Sequence, residues 1–268
     1  MTVTAPKVPK PNQFQQFITA CGDDPYLENI LKSEKGMIQY EDPRKNLVIG
    51  SRPPRHICGL IYEIQQEIAS VAGPCLWLTP QENLHMTTSE LLSSCSESEV
   101  DEVSAIVQPT LSIEETMSYT LTHSTRLIRP VISYDATAFA LSFVPAAEKT
   151  IDAYTYHHLR RDMWDIMSKS ECQIGSRYYL PSAHVTIARF AIPPEADRSK
   201  TLEDLCGRAT VMVKKIESIN QILESTDWKQ FGSPSRGEWV VGHERGLEFN
   251  KGCSWYGGGE AVYVGQGF

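Results

Sequence analysis

The chain has 268 residues, 41% hydrophobic and 22% charged, with a formal net charge of −8. That length and composition support a substantial folded core and exclude wholesale disorder. The acidic balance excludes a protein that wraps long nucleic acid, which needs a broad basic face, but leaves room for a nucleotide or an RNA end held by a few local cations.

Residues 1 to about 12 read as a flexible tail rich in proline. From Phe14 to Lys35 apolar residues recur at helical spacing (Phe14, Phe17, Ile18, then Tyr26, Leu27, Ile30, Leu31), and Gly22 to Pro25 breaks the run into short helical pieces. The β-branched run Asn46 to Gly50 predicts a first strand, ended by Arg52-Pro53-Pro54. His56 to Val71 carries apolar residues at i, i+3 and i+4 (Ile57, Leu60, Ile61, Ile64, Ile68) and predicts a helix. Leu76 to Leu78 and Leu84 to Thr88 follow as strands. Glu97 to Gln108 reads as a helix opened by Ser96 and Glu99 in capping-box spacing. Met117 to Leu127 and Ala138 to Val144 predict a pair of strands. Asp152 to Ser168 predicts a helix with a wet face of His157, Arg160 and Arg161. Ala183 to Phe190 is a further strand. Thr201 to Ser225 predicts a long helix with apolar Val211, Val213, Ile216, Ile219 and Ile222. Short strands at Glu238 to Gly242, Gly246 to Phe249 and Ala261 to Val264 close the chain. This succession predicts an α+β protein of two similar halves, each built on an antiparallel sheet.

Two strands share one grammar. In NLHMTTSEL, alternation turns Leu84 and Met86 to one face and His85 and Thr87 to the other. In PSAHVTIARF, Ala183, Val185 and Ile187 oppose His184 and Thr186. The motif H-x-[ST] is weak alone, and His123-Ser124-Thr125 matches it too. Its neighbours Thr122 and Ser124 lack the apolar face, so His123 reads as an ordinary strand-edge histidine. If the halves face one another across a cleft, His85, Thr87, His184 and Thr186 converge on it. Two imidazoles then suit acid–base transfer at a phosphodiester, because a neutral and a protonated histidine coexist near neutrality. The threonine hydroxyls suit the charge that gathers on non-bridging oxygens. This chemistry calls for neither metal nor cofactor.

WLTPQENLHMTTSELL and YYLPSAHVTIARF resemble the two signature strands of the two-histidine phosphoesterase superfamily. That group includes 2′-5′ RNA ligase-like proteins, cyclic nucleotide phosphodiesterases and U6 RNA-trimming exonucleases. The resemblance runs well over residues 46 to 190 and loosely beyond, and NLVIGSRPP leading into a helix is most similar to fungal members. It implies a bilobal fold in which two pseudo-symmetric antiparallel sheets, with outer helices, flank a central cleft. It implies His85 and His184 as the acid–base pair, and Thr87 and Thr186 as phosphate-binding hydroxyls. Residues 1–43 then form an N-terminal extension and 44–268 the two-lobed domain.

Strict alternation turns Arg189 away from the cleft unless a bulge intervenes. Arg189 is nonetheless a candidate substrate contact, and Tyr178, Tyr134 and Trp77 are candidates for stacking on a base. Gly257-Gly258-Gly259 has no lysine and helix after it, so it reads as a turn and not a phosphate loop. The seven cysteines are scattered and odd in number, with no C-x-x-C pair, which points to a reducing compartment. The N-terminus holds no secretory signal, and no window approaches the roughly 18 apolar residues of a membrane span. The expected protein is a cytoplasmic monomer, with the nucleus as alternative site, acting on a 2′,3′-cyclic phosphate, small nucleotide or RNA end. Two other readings stand beside it: a nucleotide or RNA-end binder without catalysis, and an enzyme for another metabolite phosphodiester.

Overall fold

The computed structural model describes residues 24–72, 76–135, 137–170, 172, 174, 182–191, 202–228, 235–257 and 259–268. In chain order the elements are α1 (Pro25–Glu34), β1 (Lys45–Ser51), α2 (Arg55–Ala72), β2 (Leu76–Leu78), β3 (Met86–Cys95), α3 (Glu97–Thr110), α4 (Ile113–Met117), β4 (Thr125–Tyr134), β5 (Ala138–Pro145), α5 (Tyr156–Met167), β6 (Ala183–Phe190), α6 (Leu202–Ser225), β7 (Trp239–Val241), β8 (Glu248–Gly252) and β9 (Glu260–Val264). Single 3-10 turns stand at Gln81–Asn83, Tyr119–Leu121 and Ser254–Tyr256. No helix among the described residues is long and apolar enough to cross a membrane.

The fold is α+β with two antiparallel sheets, one of four strands in the order β3-β1-β8-β9 and one of five in the order β2-β6-β5-β4-β7. The sequence pattern predicts one sheet from each half of the chain, and the sheets instead draw strands from both. β2 leaves the first half to pair with β6, and the C-terminal strands β8 and β9 return to cover the open edge of β1. An uncovered edge of β1 would leave its backbone donors and acceptors unpaired, which the returning strand prevents.

Local signals set most elements. Asp24 caps α1 by accepting from Leu27 N at 3.1 Å, and Pro25 opens the helix where its missing N–H costs nothing. Ser96 and Glu99 close their capping box as their spacing predicts. The predicted face of α2 is buried, together with Gln65. On α6 the buried stripe is Met212, Val213, Ile216, Ile219 and Leu223, while Val211 and Ile222 face outward.

The expected strand from Met117 to Leu127 is different. Met117 ends the helical turn α4, Tyr119–Leu121 is a 3-10 turn, and β4 starts at Thr125 and runs on to Tyr134. Met117 is fully buried there, so the apolar signal was core packing and not strand alternation. β4 also contains Pro130, which a regular interior strand disfavours. It is tolerated because the pairing with β5 skips between Ile128 and Val131, and Arg129 takes a left-handed φ of 53°.

Candidate active site

β3 and β6 belong to different sheets yet lie against one another, and α5 packs on β3. Each motif strand carries a bulge at the same place. In β3 the pairing runs Gly50↔Thr87 and then Ile49↔Ser89, so Thr88 is the extra residue. In β6 it runs Ala140↔Thr186 and then Phe139↔Ala188, so Ile187 is extra. Each bulge therefore comes one residue after the motif threonine.

The bulge in β6 decides where Arg189 goes. Direct cross-strand partners share a face, and Ser142↔His184, Ala140↔Thr186 and Ala138↔Arg189 are alternate positions of β5. Arg189 thus stands on the face of His184 and Thr186, which plain alternation would have denied it. The extra carbonyl of Ile187 is not left orphaned. It accepts from the Thr79 backbone N–H at 3.0 Å and from Gln65 Nε2 at 2.8 Å, and the same amide nitrogen donates to Thr79 O. A buried glutamine on α2 thereby holds the bulge.

His85 precedes β3 and is half-buried between buried Leu84 and Met86. Its Nδ1 lies 2.8 Å from the carbonyl of Asn83. A carbonyl only accepts, so Nδ1 carries the proton and Nε2 has the free lone pair when the ring is neutral. Arg52 grips this loop: Nη1 donates to the carbonyls of Glu82 (2.6 Å) and Leu84 (3.2 Å), and Nε meets the buried carboxylate of Glu248 at 2.9 Å. Burial is the first cause that holds His85 below the ordinary imidazole range. The Arg52 and Arg189 charges push the same way, while the Asn83 carbonyl and Glu248 oppose them.

His184, also half-buried, places Nδ1 3.0 Å from the hydroxyl of Ser182, which can donate or accept. Its pKa is lowered by burial first and then by the charges of His85, Arg160 and Arg189, against Asp135. The two imidazoles are thus electrostatic neighbours, and Arg189 acts on both.

Thr87 and Thr186 each share the face of their histidine and are half-buried. The Thr87 carbonyl accepts weakly, at 3.4 Å, from Tyr156 Oη and from Arg160 Nη1, one turn apart on α5. Arg160 is therefore not the purely solvated residue that the helix pattern predicts.

The stacking candidates separate. Trp77 pairs with Arg189 and shares its face, but packs edge-on to Tyr256 at 6.0 Å, in a small cluster with Leu27, Ile30 and Leu31 of α1. Tyr134 pairs with Phe139 and so lies on the opposite face, away from His184, where burial and the charge of Glu217 on α6 raise its phenol. The registry of β4 places it there. Tyr178 lies outside the described residues. His123 stacks on Tyr119 at 4.0 Å, remote from the motif strands in its contacts.

Sequence reasoning missed Arg52, Arg160, Asn83 and the aromatic pair Trp255-Tyr256. The Tyr256 carbonyl accepts from Asn83 Nδ2 at 2.8 Å, and the Trp255 carbonyl from Arg189 Nη2 at 3.4 Å. The signal available was two large aromatics set directly before a glycine run. Gly257 is needed beside them: its φ is 86°, and a Cβ there would stand 2.1 Å from Cβ of Asn83.

No protein-family model and no curated protein matches the chain. A conserved protein of unknown function from Agrobacterium tumefaciens has a similar structure, with a TM-score of 0.50 at 13% identity over 83% of this chain and 86% of that one. That similarity is one of fold. Usb1 of Kluyveromyces marxianus, solved with uridine monophosphate, gives a TM-score of 0.40 at 11% identity over 83% of this chain and 96% of that one. A Thermus thermophilus protein gives 0.38 at 15% identity over 56% of this chain and 76% of its own. These last two scores are too low to show a common fold.

Proposed function

We propose that the protein is a phosphodiesterase of the two-histidine type that opens a 2′,3′-cyclic phosphate, or cleaves a related phosphodiester at a nucleotide or RNA end, without a metal ion. What supports this reading is the juxtaposition of His85 and His184, from two sheets, close enough for the charge of one to depress the other.

His85, neutral and with its proton fixed on Nδ1, takes a proton from the attacking water at Nε2. The new P–O bond forms as the bond to one ribose oxygen breaks. His184, protonated, gives its proton to that leaving oxygen. With Nδ1 beside the Ser182 hydroxyl, the proton transferred is the one on Nε2, and Ser182 accepts from Nδ1–H before and after the transfer, so the ring keeps its orientation. Thr87, Thr186 and Arg189 serve the non-bridging oxygens, where hydrogen bonds to developing charge lower the barrier. A phosphodiester anion between the rings offsets their mutual repulsion and draws both pKa values up.

The test is hydrolysis of 2′,3′-cyclic nucleotides in the presence of a chelator. Wild-type protein turns them over, and His85→Ala and His184→Ala each lower kcat by about a hundred- to ten-thousand-fold, the usual worth of a positioned acid or base. Turnover undiminished by either substitution overturns the assignment. Tight binding with no product identifies a binder instead.

A further inference from the structure

At one edge of the motif strands the chain gathers two arginines and four aromatic side chains, drawn from segments far apart in sequence. Arg189 stands over the ring of Tyr256, with its guanidinium carbon 5.3 Å from the centroid. The Arg44 guanidinium lies 3.5 Å from the centroid of Tyr26 and 5.6 Å from those of Trp255 and Tyr256. Trp77 closes the inner side against Tyr256. Buried Tyr256 is a core support, but Trp255 is 38% and Tyr26 36% exposed, so both keep surface that a ligand can reach, although Arg44 covers one face of Tyr26.

The array is continuous with the histidines. His85 rests on the carbonyl of Asn83, Asn83 donates to the carbonyl of Tyr256, and Arg189 reaches the carbonyl of Trp255. It is also fixed in place. The Tyr256 hydroxyl lies 2.6 and 2.7 Å from the two carboxylate oxygens of Asp24, the cap of α1, and accepts from Arg44 Nη2 at 3.3 Å. Arg44 is itself paired with buried Asp42 at 2.6 Å. Rings held this way lose little freedom when something stacks on them.

The two arginines differ in what they have left to offer. The charge of Arg44 is matched by Asp42, so it acts as a spacer between rings. Arg189 is not so matched: its Nε is buried and has no hydrogen-bond partner among the described residues. A donor of that kind, on the face of His184, is suited to a phosphate oxygen, and open rings beside it are suited to a base.

We propose that Trp255 and Tyr26, spaced by Arg44 and adjoining Arg189, form a stacking subsite for the nucleobase one position upstream of the nucleotide whose phosphodiester is cleaved, so that the preferred ligand is the end of a short single-stranded RNA and not a free mononucleotide. This inference rests on the nucleotide reading of the site. It gives the N-terminal helix a role: α1 supplies Tyr26 and, through Asp24, locks Tyr256. The footprint is one or two nucleotides, which an acidic protein tolerates where a long polyanion would be repelled.

The experiment compares a uridine pentamer ending in a 3′-phosphate with uridine 3′-monophosphate, titrated by calorimetry into the full chain, alongside hydrolysis of the matching 2′,3′-cyclic ends. The wild-type protein binds the pentamer more tightly. Trp255→Ala lowers the pentamer-to-monomer affinity ratio roughly ten-fold, within the range measured for loss of one base–aromatic stack, and Trp255→Phe restores most of it, which separates lost stacking from lost folding. Equal affinity for both ligands, or a ratio that ignores Trp255→Ala, overturns the subsite even if cyclic ends are hydrolysed. A ratio that depends on Trp255 without any hydrolysis keeps the subsite and overturns the phosphodiesterase reading. If neither ligand binds, both fall.

Discussion

The histidine before β3 rests on a backbone carbonyl, and the histidine within β6 on a serine hydroxyl. Both strands are written alike, alternate alike and bulge at the same step after the threonine. Their surroundings differ. His85 sits on a loop gripped by Arg52, with the buried carboxylate of Glu248 behind it, at an edge strand of the four-stranded sheet. His184 belongs to a strand paired on both sides and has Arg160 and Asp135 as its private charges. A carbonyl fixes one tautomer, whereas a hydroxyl accommodates either. On the proposed mechanism, two copies of one motif divide acid from base through what surrounds each ring.

The largest effect that tests this division is the shape of the pH profile. Burial first, and then neighbouring positive charges (Arg52 and Arg189 for His85; His85, Arg160 and Arg189 for His184), hold both rings below the ordinary value of about 6.5. The bell of kcat/KM, which reports the free enzyme, is therefore expected to peak below about pH 6.5, with apparent values that belong to the pair. In the residual activity of His85→Ala the acid-side limb disappears, and in that of His184→Ala the alkaline-side limb does. The reverse pattern exchanges the two roles.

A smaller effect separates shared from private charges. Arg189 depresses both histidines and Arg160 only His184 among the leading causes. Arg189→Gln is expected to move both limbs to higher pH and to cost roughly ten-fold or more in kcat/KM, as loss of a hydrogen bond to a charged group does. Arg160→Gln is expected to move the His184 limb upward and leave the other in place, with a few-fold change in rate. Limbs that move together in Arg160→Gln would remove the distinction.

The smallest effect is on stability. Each folded-state pKa lies below its unfolded value, so as pH falls below about 6.5 the unfolded chain binds protons first. Stability from these two groups is fully present above that pH and declines below it until the folded rings also charge. Thermal denaturation from pH 7.5 to 5 is expected to show a falling Tm, and His85→Gln or His184→Gln to flatten the slope. A slope identical in all three proteins would show that neither ring is held neutral by the fold.

Much of this protein was readable from the chain. The two H-x-T segments declare themselves because strand alternation has a period of two and each segment keeps its apolar face. The Ser96–Glu99 box and the buried stripe of α2 are equally local. Failures came where locality ends. Met117 looked like strand because apolar residues in a short run do not distinguish a helical turn from a strand once both are buried. Tyr134 is a candidate for stacking on a base from sequence, and its register on β4 puts it on the face of Phe139, opposite that of His184.

What the sequence determined by itself is the pair of imidazole–hydroxyl strands and the α+β class, since these depend on residues a few positions apart. The tertiary structure decided that β2 joins β6 and that β8 returns to β1. It decided that bulges follow both threonines, that the Ile187 bulge, held by Gln65 and Thr79, brings Arg189 to the face of His184, and that Arg52 reaches the loop of His85, Arg160 the Thr87 carbonyl and Arg189 the Trp255 carbonyl. The physical reason is that bulges, register and the meeting of α1 with the C-terminal turn are settled by hydrogen bonds and packing between distant segments, for which no spacing along the chain is a signature.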